Sequence, residues 1–181
     1  NQSRRQRQMC IRDSIATAYM ATDKIGYIKL NKFSATSVRE LEQALQKLKA
    51  KGMKHLMLDL RNNGGGYLYA AIHIADQFLK NDELIVYTEG RKYRKKEYRA
   101  KIKGHFEKGQ LAILVNENSA SASEIVAGAV QDWDRGLIIG RRSFGKGLVQ
   151  KPFILPDSSY MRLTIAYYYT CLLYTSPSPR D

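Results

Sequence analysis

Cysteine is absent from residues 15–170 of this chain of 181 residues, because Cys10 and Cys171 both lie outside that range. The central segment therefore has no disulfide framework, no thiol nucleophile and no thiolate metal site. No stretch has the apolar length of a membrane span, and the arginine-rich N-terminal piece lacks the apolar core of a signal peptide. His and Glu do not recur at a metal-binding spacing, so we predict neither a metal site nor a cofactor.

The two ends of the chain, residues 1–14 and 171–181, differ from its middle because they show no apolar periodicity. One DNA sequence can encode Met9–Ser14, and its reverse complement can encode Cys171–Ser176. Selection on a protein has no reason to produce this relation, which resembles translated sequencing adapter. We therefore interpret both ends as non-native and expect them not to pack consistently against a core formed by residues 15–170.

The chain carries a formal net charge of +13, of which residues 1–14 contribute +3, leaving +10 for the rest. Much of this surplus lies in one run, residues 91–103. Such a run favours either a solvated, charged hairpin or a patch that binds a polyanion such as nucleic acid. We favour the hairpin and predict no nucleic-acid partner.

Strand-like and helix-like patterns alternate along the central segment. Short apolar or alternating runs predict strands at residues 25–33, 56–60, 84–87, 111–115, 137–139 and 160–169. Apolar residues at three- and four-residue spacing predict helices at residues 38–51, 68–79 and 124–133. This alternation predicts an α/β layer architecture built from βαβ crossovers, with functional sites at the ends of strands.

One segment of small residues, Ser119–Glu124, lies between a predicted strand and a predicted helix. Small residues allow a substrate backbone to approach closely, and a helix N-terminus offers free N–H groups to a developing oxyanion. The alternative interpretation is an ordinary serine cap of the helix.

Two glycine-containing segments accompany it. In Ser143–Gln150, glycines flank Lys146 on both sides, without the spacing of a phosphate-binding P-loop. In Asp59–Gly66, a glycine turn follows a buried strand and could direct a backbone N–H into a cleft. Each motif alone is weak evidence for a site.

In this order, the three segments resemble those of the carboxy-terminal processing (tail-specific) peptidases, serine-lysine enzymes related to the crotonase and Clp-protease fold. The resemblance covers residues 24–170, and the 25-residue spacing between Ser121 and Lys146 fits the family pattern. It implies a layered sheet with flanking helices, with Ser121 as the nucleophile and Lys146 as the general base. Gln150 would orient the lysine.

Elementary chemistry agrees with these roles. A serine hydroxyl is a poor nucleophile until a base removes its proton, and a lysine amine can do so only when it is desolvated. We expect Phe144 to form a wall of the pocket around the Lys146 amine. The backbone N–H groups of Ala122 and Gly65 are the expected donors to the oxyanion.

His55, His73 and His105 must be weighed against this interpretation, since Ser-His-Asp is the commoner arrangement of serine hydrolases. The first begins a buried strand, the second lies within a helix, and the third follows the charged run. We interpret all three as structural or solvated.

The resemblance implies an endopeptidase that acts near the C-termini of polypeptides through an acyl-enzyme. It implies polypeptide substrates with accessible C-termini, an extracytoplasmic or periplasmic location with membrane association as an option, and a homo-oligomer as one option. Three departures from the family pattern are expected: a missing PDZ domain just before residue 24, a native segment that stops at Thr170 where the family usually continues into a Pro-Ser/Thr-Gly-Arg loop, and Gly64 in place of a frequent proline. The alternative is a catalytically inactive peptide- or ligand-binding module on the same fold.

Overall fold

The computed structural model describes residues 14–170, and the predictions for residues 1–13 and 171–181 fall outside that range. Ser14, the last residue of the segment interpreted as non-native, is fully buried, and its carbonyl accepts the Asn31 N–H at 2.8 Å. The elements in chain order are β1 (Ile15–Met20), β2 (Ile25–Leu30), α1 (Ser37–Ala50), β3 (His55–Asp59), α2 (Leu68–Asp76), β4 (Leu84–Gly90), β5 (Tyr93–Arg99), β6 (Leu111–Val115), α3 (Ala122–Asp132), β7 (Leu137–Gly140), β8 (Leu148–Ile154) and β9 (Tyr160–Tyr169).

The first sheet has five strands in the order β1-β2-β3-β6-β7. β1 is antiparallel to β2, and the other four strands run parallel to one another. Parallel neighbours need crossover connections, which α1 supplies between β2 and β3 and α3 between β6 and β7. The predicted α/β layer architecture is therefore confirmed.

The second sheet has four antiparallel strands in the order β5-β4-β9-β8. Most of the charged run at residues 91–103 lies in the β4–β5 hairpin and on β5, whose first five residues are exposed. The interpretation as a solvated hairpin is therefore confirmed. The sequence patterns did not predict β1, β5 or β8.

The core lies between the first sheet and its helices. α1 presents Leu41, Leu45 and Leu48 to this core at three- and four-residue spacing, and all three are buried.

Within residues 14–170, no helix is both long and apolar enough to cross a membrane.

Parallel strands bring their carboxyl ends to one edge of a sheet. The ends of the adjacent strands β3, β6 and β7 lead into residues 60–66, 116–121 and 141–147, respectively. These are the three loops that contain the sequence motifs. An α/β sheet commonly places its ligand site at such an edge.

Candidate active site

The outer serines of the small-residue segment are structural. Ser119 donates its hydroxyl to the Leu60 carbonyl at 2.9 Å, and Ser123 donates to the Asn63 carbonyl at 2.8 Å. Both serines are fully buried, and both bonds tie this segment to the loop after β3. Ser121, between them, makes neither bond and is only partly buried. The motif thus ties its outer two serines to the loop after β3, and the middle one begins α3.

Ser121 is the N-cap of α3 and has φ 57° and ψ −110°. A residue with a Cβ rarely adopts this conformation, and such strain costs about 1–3 kcal/mol. Strained residues that persist in a fold cluster at active sites. The next residue, Ala122, is the first of the helix, so its N–H has no partner within the helix.

The carboxylate of Glu124 joins the loop after β7 to the start of α3. Its Oε2 accepts the backbone N–H of Ser121 at 2.7 Å and that of Lys146 at 2.9 Å. Its Oε1 accepts the Ser143 hydroxyl at 2.7 Å and the Gly145 N–H at 2.6 Å. One side chain from the first turn of the helix therefore holds residues 141–147, the lysine loop, beside Ser121.

Lys146 is partly buried, and its backbone is close to Ser121 because both donate to the same carboxylate oxygen. Among the residues that the structure describes, its amine forms no hydrogen bond or ion pair. The expectation that Phe144 walls a pocket around this amine is wrong, because Phe144 is 65% exposed. Its N–H bonds to the Ser119 carbonyl at 3.0 Å, and this bond fixes the loop while the ring faces outward.

Gln150 lies on β8, where it pairs with Thr164 of β9. The residue is exposed. Within residues 14–170 its side-chain amide has no hydrogen bond to Lys146. Lys146, in the loop before β8, and Gln150, on β8, are therefore close in the chain, but their side chains are not hydrogen-bonded to each other.

Gly65 lies against the segment that contains Ser121. It has φ 97°, and a Cβ placed there would come within 2.9 Å of the Ser121 Cβ and 3.0 Å of the Ala122 N. Only glycine therefore fits this close approach. Its N–H, however, is donated to Asn63 Oδ1 at 2.9 Å, so an oxyanion role for Gly65 requires that bond to open.

Tyr168, on β9, was not singled out by any sequence pattern. Its hydroxyl lies 2.8 Å from the Ser121 Oγ, and its backbone N–H is donated to the Gly147 carbonyl at 3.0 Å. It is one of three consecutive tyrosines, a residue type that is common in β-strands. No local signal could distinguish it, because the contact with Ser121 depends on how the second sheet packs on α3.

A second polar cluster lies at the end of β3. The carboxylate of Asp59 is 1% exposed and accepts a hydrogen bond from the Tyr27 hydroxyl at 2.6 Å. It also accepts bidentate hydrogen bonds from the Arg61 guanidinium and lies 3.3 Å from the Lys29 amine. Burial raises the pKa of Asp59, but the hydrogen bonds from Arg61 and Tyr27 and the charge of Lys29 outweigh it and hold the pKa well below its usual range. The cluster fixes the start of the glycine turn.

The three histidines lie away from Ser121 in the hydrogen-bond network. His55 accepts a backbone N–H at 3.3 Å, His73 packs on a tyrosine ring with centroids 4.1 Å apart, and His105 bonds a glutamine side chain at 2.8 Å. Among the described residues, no group of three or more His, Cys, Asp or Glu side chains could hold a metal ion. These contacts agree with structural roles for the histidines.

Comparison with known proteins identifies the family. The profile of Peptidase family S41 matches residues 24–171. The chain belongs to peptidase family S41. Its curated S41 relatives include a carboxyl-terminal-processing protease of Picosynechococcus, 45% identical over 150 residues, which are 83% of this chain and 36% of the relative. Carboxyl-terminal-processing peptidase 3 of Arabidopsis thaliana, a chloroplastic protein, is 41% identical over 146 residues, 80% of this chain and 28% of the relative.

The fold comparison agrees with the S41 assignment. A solved photosystem II D1 C-terminal processing protease is 32% identical, has a TM-score of 0.79 and is matched over 89% of this chain and 45% of its own. The resemblance seen in the sequence, to the carboxy-terminal processing peptidases, is therefore confirmed. The chain spans about a third of the length of the curated relatives it matches.

Proposed function

We propose that this S41 chain carries the catalytic core of a serine endopeptidase that cleaves polypeptides near their C-termini. In this proposal Ser121 is the nucleophile, Lys146 is the general base, and the reaction passes through an acyl-enzyme. The observation that carries it is the conformation of Ser121. A strained serine, at a helix N-terminus and at the shared edge of three parallel strands, is costly to keep in a fold that needs it only as a cap.

The lysine loop supports the second role. Because the backbone N–H groups of Ser121 and Lys146 donate to one oxygen of Glu124, the lysine side chain begins close to the serine. Its amine has no competing partner among the described residues. Contacts in substrate-free sites are often loose and tighten when substrate excludes water.

The chemical step then follows. The uncharged Lys146 amine accepts the proton of the Ser121 hydroxyl as Oγ attacks the substrate carbonyl. The free N–H of Ala122, at the positive end of α3, donates to the oxyanion. Gly65 supplies a second donor once its N–H leaves Asn63. The lysine returns the proton to the departing amine, and water hydrolyses the acyl-enzyme.

Gln150 is the proposed orienting group of the lysine. Its amide carbonyl can accept from the Lys146 amine but cannot act as a base. It starts from an exposed position on β8, so it would approach the amine as the site closes. Its contribution is therefore expected to be smaller than that of Ser121 or Lys146.

The family relationship supports wider proposals about the protein. Several relatives are named carboxyl-terminal-processing proteases, so we propose polypeptides with accessible C-termini as substrates. We further propose an extracytoplasmic location, periplasmic in bacteria, and a PDZ domain that selects substrates in the longer protein. A homo-oligomer is compatible with these proposals.

Acylation by a fluorophosphonate probe tests the central roles. We expect the 181-residue chain to be labelled once, at Ser121, with the site located by mass spectrometry of the digested protein. Ser121→Ala, Lys146→Ala and Lys146→Arg should each abolish labelling, because arginine keeps the charge but effectively never deprotonates. Lys151→Arg, on the exposed strand β8, is the matched control and should label at the wild-type rate.

Two outcomes would overturn the proposal. Near-native labelling of Lys146→Arg would show that Lys146 is not the base. A chain with native circular dichroism that binds C-terminal peptides but is never labelled would favour the non-catalytic binding module.

A further inference from the structure

The hydroxyl of Tyr168 is the one side-chain group, within residues 14–170, that forms a hydrogen bond with the Ser121 hydroxyl. The two oxygens are 2.8 Å apart, the ordinary distance of an O–H···O bond. The role proposed for Lys146 does not account for this contact.

A backbone bond, strand pairing and packing define the position of Tyr168. Its N–H bonds to the carbonyl of Gly147, the residue after Lys146, and its neighbour Tyr167 pairs with Leu148 of β8. The Tyr168 side chain is partly buried and packs against the core. A phenol fixed in this way keeps its direction when the serine reacts.

We infer that Tyr168 is a third catalytic group, which donates its hydroxyl proton in a hydrogen bond to the Ser121 Oγ while Lys146 removes the serine proton. The inference rests on the proposed function. It deepens that function by assigning both sides of the nucleophile: the amine accepts from the oxygen, and the phenol donates to it.

The proton balance is simple. As the bond between Oγ and the substrate carbon forms, the Oγ–H bond breaks and its proton passes to the Lys146 Nζ. The phenol keeps its own proton throughout and stabilises the negative charge that grows on Oγ before the new bond is complete. No oxidant or further reactant is required.

The ionisation of Tyr168 fits this role. Burial raises the pKa of Tyr168, the hydrogen bond with Ser121 lowers it, and the negative charge of Glu124 raises it again, so that the net shift is upward. The raised pKa keeps the phenol protonated, and so able to donate, to a higher pH than an ordinary tyrosine.

Tyr168→Phe tests the inference, because it removes one oxygen and keeps the ring. We expect the second-order rate of fluorophosphonate labelling to fall about 10- to 100-fold, with an unchanged Tm. Tyr169→Phe is the matched control, since this neighbour stacks on Tyr87 with ring centroids 4.9 Å apart and should keep both its packing and the wild-type rate.

The pH profile separates catalysis from structure. Because the pKa of Tyr168 is raised, labelling in the wild type and in Tyr169→Phe should decline only at alkaline pH beyond the ordinary range of tyrosine, as Tyr168 loses its donor proton. That alkaline decline should be absent from Tyr168→Phe. A residue that acted only through packing would lower the rate and leave the shape of the profile unchanged.

A second measurement examines the contact without chemistry. In a chain with ¹³C at the tyrosine Cζ, the Tyr168 signal is assigned by its loss in Tyr168→Phe. Ser121→Ala should shift the pKa of Tyr168, because it removes the hydrogen bond between the two hydroxyls, whereas Ser159→Ala on the exposed β8–β9 turn should not.

The outcomes are distinguishable. Wild-type labelling of Tyr168→Phe would overturn this inference alone, and so would faster labelling, which would mean that the phenol obstructs the serine. An unshifted Tyr168 signal in Ser121→Ala would remove the contact on which the inference depends. Failure of the folded wild-type chain to label would overturn the proposed function and this inference with it.

Discussion

The five-stranded sheet and the β8–β9 hairpin contribute to the same site but are packed very differently. Leu56, Leu58 and Ile113, on the central strands of the sheet, are almost completely buried. On the hairpin, large apolar side chains are exposed instead: Ile154 by 70%, Tyr160 by 72%, Met161 by 41% and Leu163 by 43%. Apolar burial is the dominant stabilising contribution in folding, so the sheet is expected to be far more stable locally than the hairpin.

This difference divides the candidate site into two halves. The segment that contains Ser121 is held against the loop after β3, through buried bonds from the serines on either side of it. Lys146, Gln150 and Tyr168 come from the loop before the hairpin and from the hairpin itself. The proposed nucleophile thus lies in the well-buried region, whereas the groups proposed to act on it depend on the less buried region.

The largest effect is expected from a matched pair of truncations. Leu58→Ala, in the fully buried strand β3, should lower the free energy of unfolding by about 2–5 kcal/mol, because it removes buried methyl groups and leaves a cavity. Leu163→Ala, on the exposed part of β9, should change it by about 0.5 kcal/mol. Urea unfolding followed by circular dichroism measures both, and equal losses would contradict the contrast.

The next largest effect is expected at Glu124, which connects Ser121 with the lysine loop. Glu124→Gln replaces two acceptor oxygens that receive four bonds with one acceptor and one donor, so the lysine loop should shift. We expect fluorophosphonate labelling to fall about 100-fold, since small displacements of catalytic groups have effects of this size. Glu117→Gln, which removes only an exposed 3.6 Å pairing with Arg141, is the control and should keep the wild-type rate.

A smaller effect concerns the polar cluster at the end of β3. Because the pKa of Asp59 is depressed in the folded state, its contribution is fully present above its unfolded value of about 4 and is lost as the pH falls through the lower folded value. Asp59→Asn should therefore destabilise the chain by about 1–3 kcal/mol at pH 7. The difference from wild type should shrink below about pH 4.

Thermal unfolding at several pH values measures this difference. Asp23→Asn, in the exposed β1–β2 turn, is the control and should leave Tm nearly unchanged at every pH. A deficit of Asp59→Asn that grew toward acid pH would contradict the assignment of a depressed pKa.

The smallest effect is expected at the exposed end of the site. Gln150→Ala should weaken labelling by about tenfold without abolishing it, because an orienting amide contributes roughly one hydrogen bond to the position of the lysine. Lys151→Ala, its neighbour on β8, should have no effect. Complete loss of labelling in Gln150→Ala would mean that the hairpin is more tightly coupled to the nucleophile than its exposure indicates.

The elements that pattern analysis predicted are those with a buried face. α1 and β6 were predicted within one residue of their bounds, because their apolar spacing reports directly which side is buried. β5 and β8 were missed because they are largely exposed and carry charges or glycine-rich flanks that obscure the alternation.

The site shows the same limit. The loops that contain Ser121 and Lys146 could be found from small residues and glycines, which leave a local mark on the sequence. Tyr168 could not, because its role depends on a contact 47 residues distant that only the packing of two sheets creates. Glu124 was noted only as the end of the serine segment, and the three bonds that it accepts from the lysine loop and the one from Ser121 likewise appear only in three dimensions.

The backbone of Ser121 has one consequence for how such a site changes over generations. Glycine at this position would relieve the strain at φ 57°, and it is also an acceptable N-cap, so Ser121→Gly should raise the free energy of unfolding by about 1–3 kcal/mol. Ser121→Ala keeps the Cβ and should not. Drift under selection for stability alone would thus lead from serine to an inert glycine, and a lineage that keeps the hydroxyl does so against its own thermodynamic optimum.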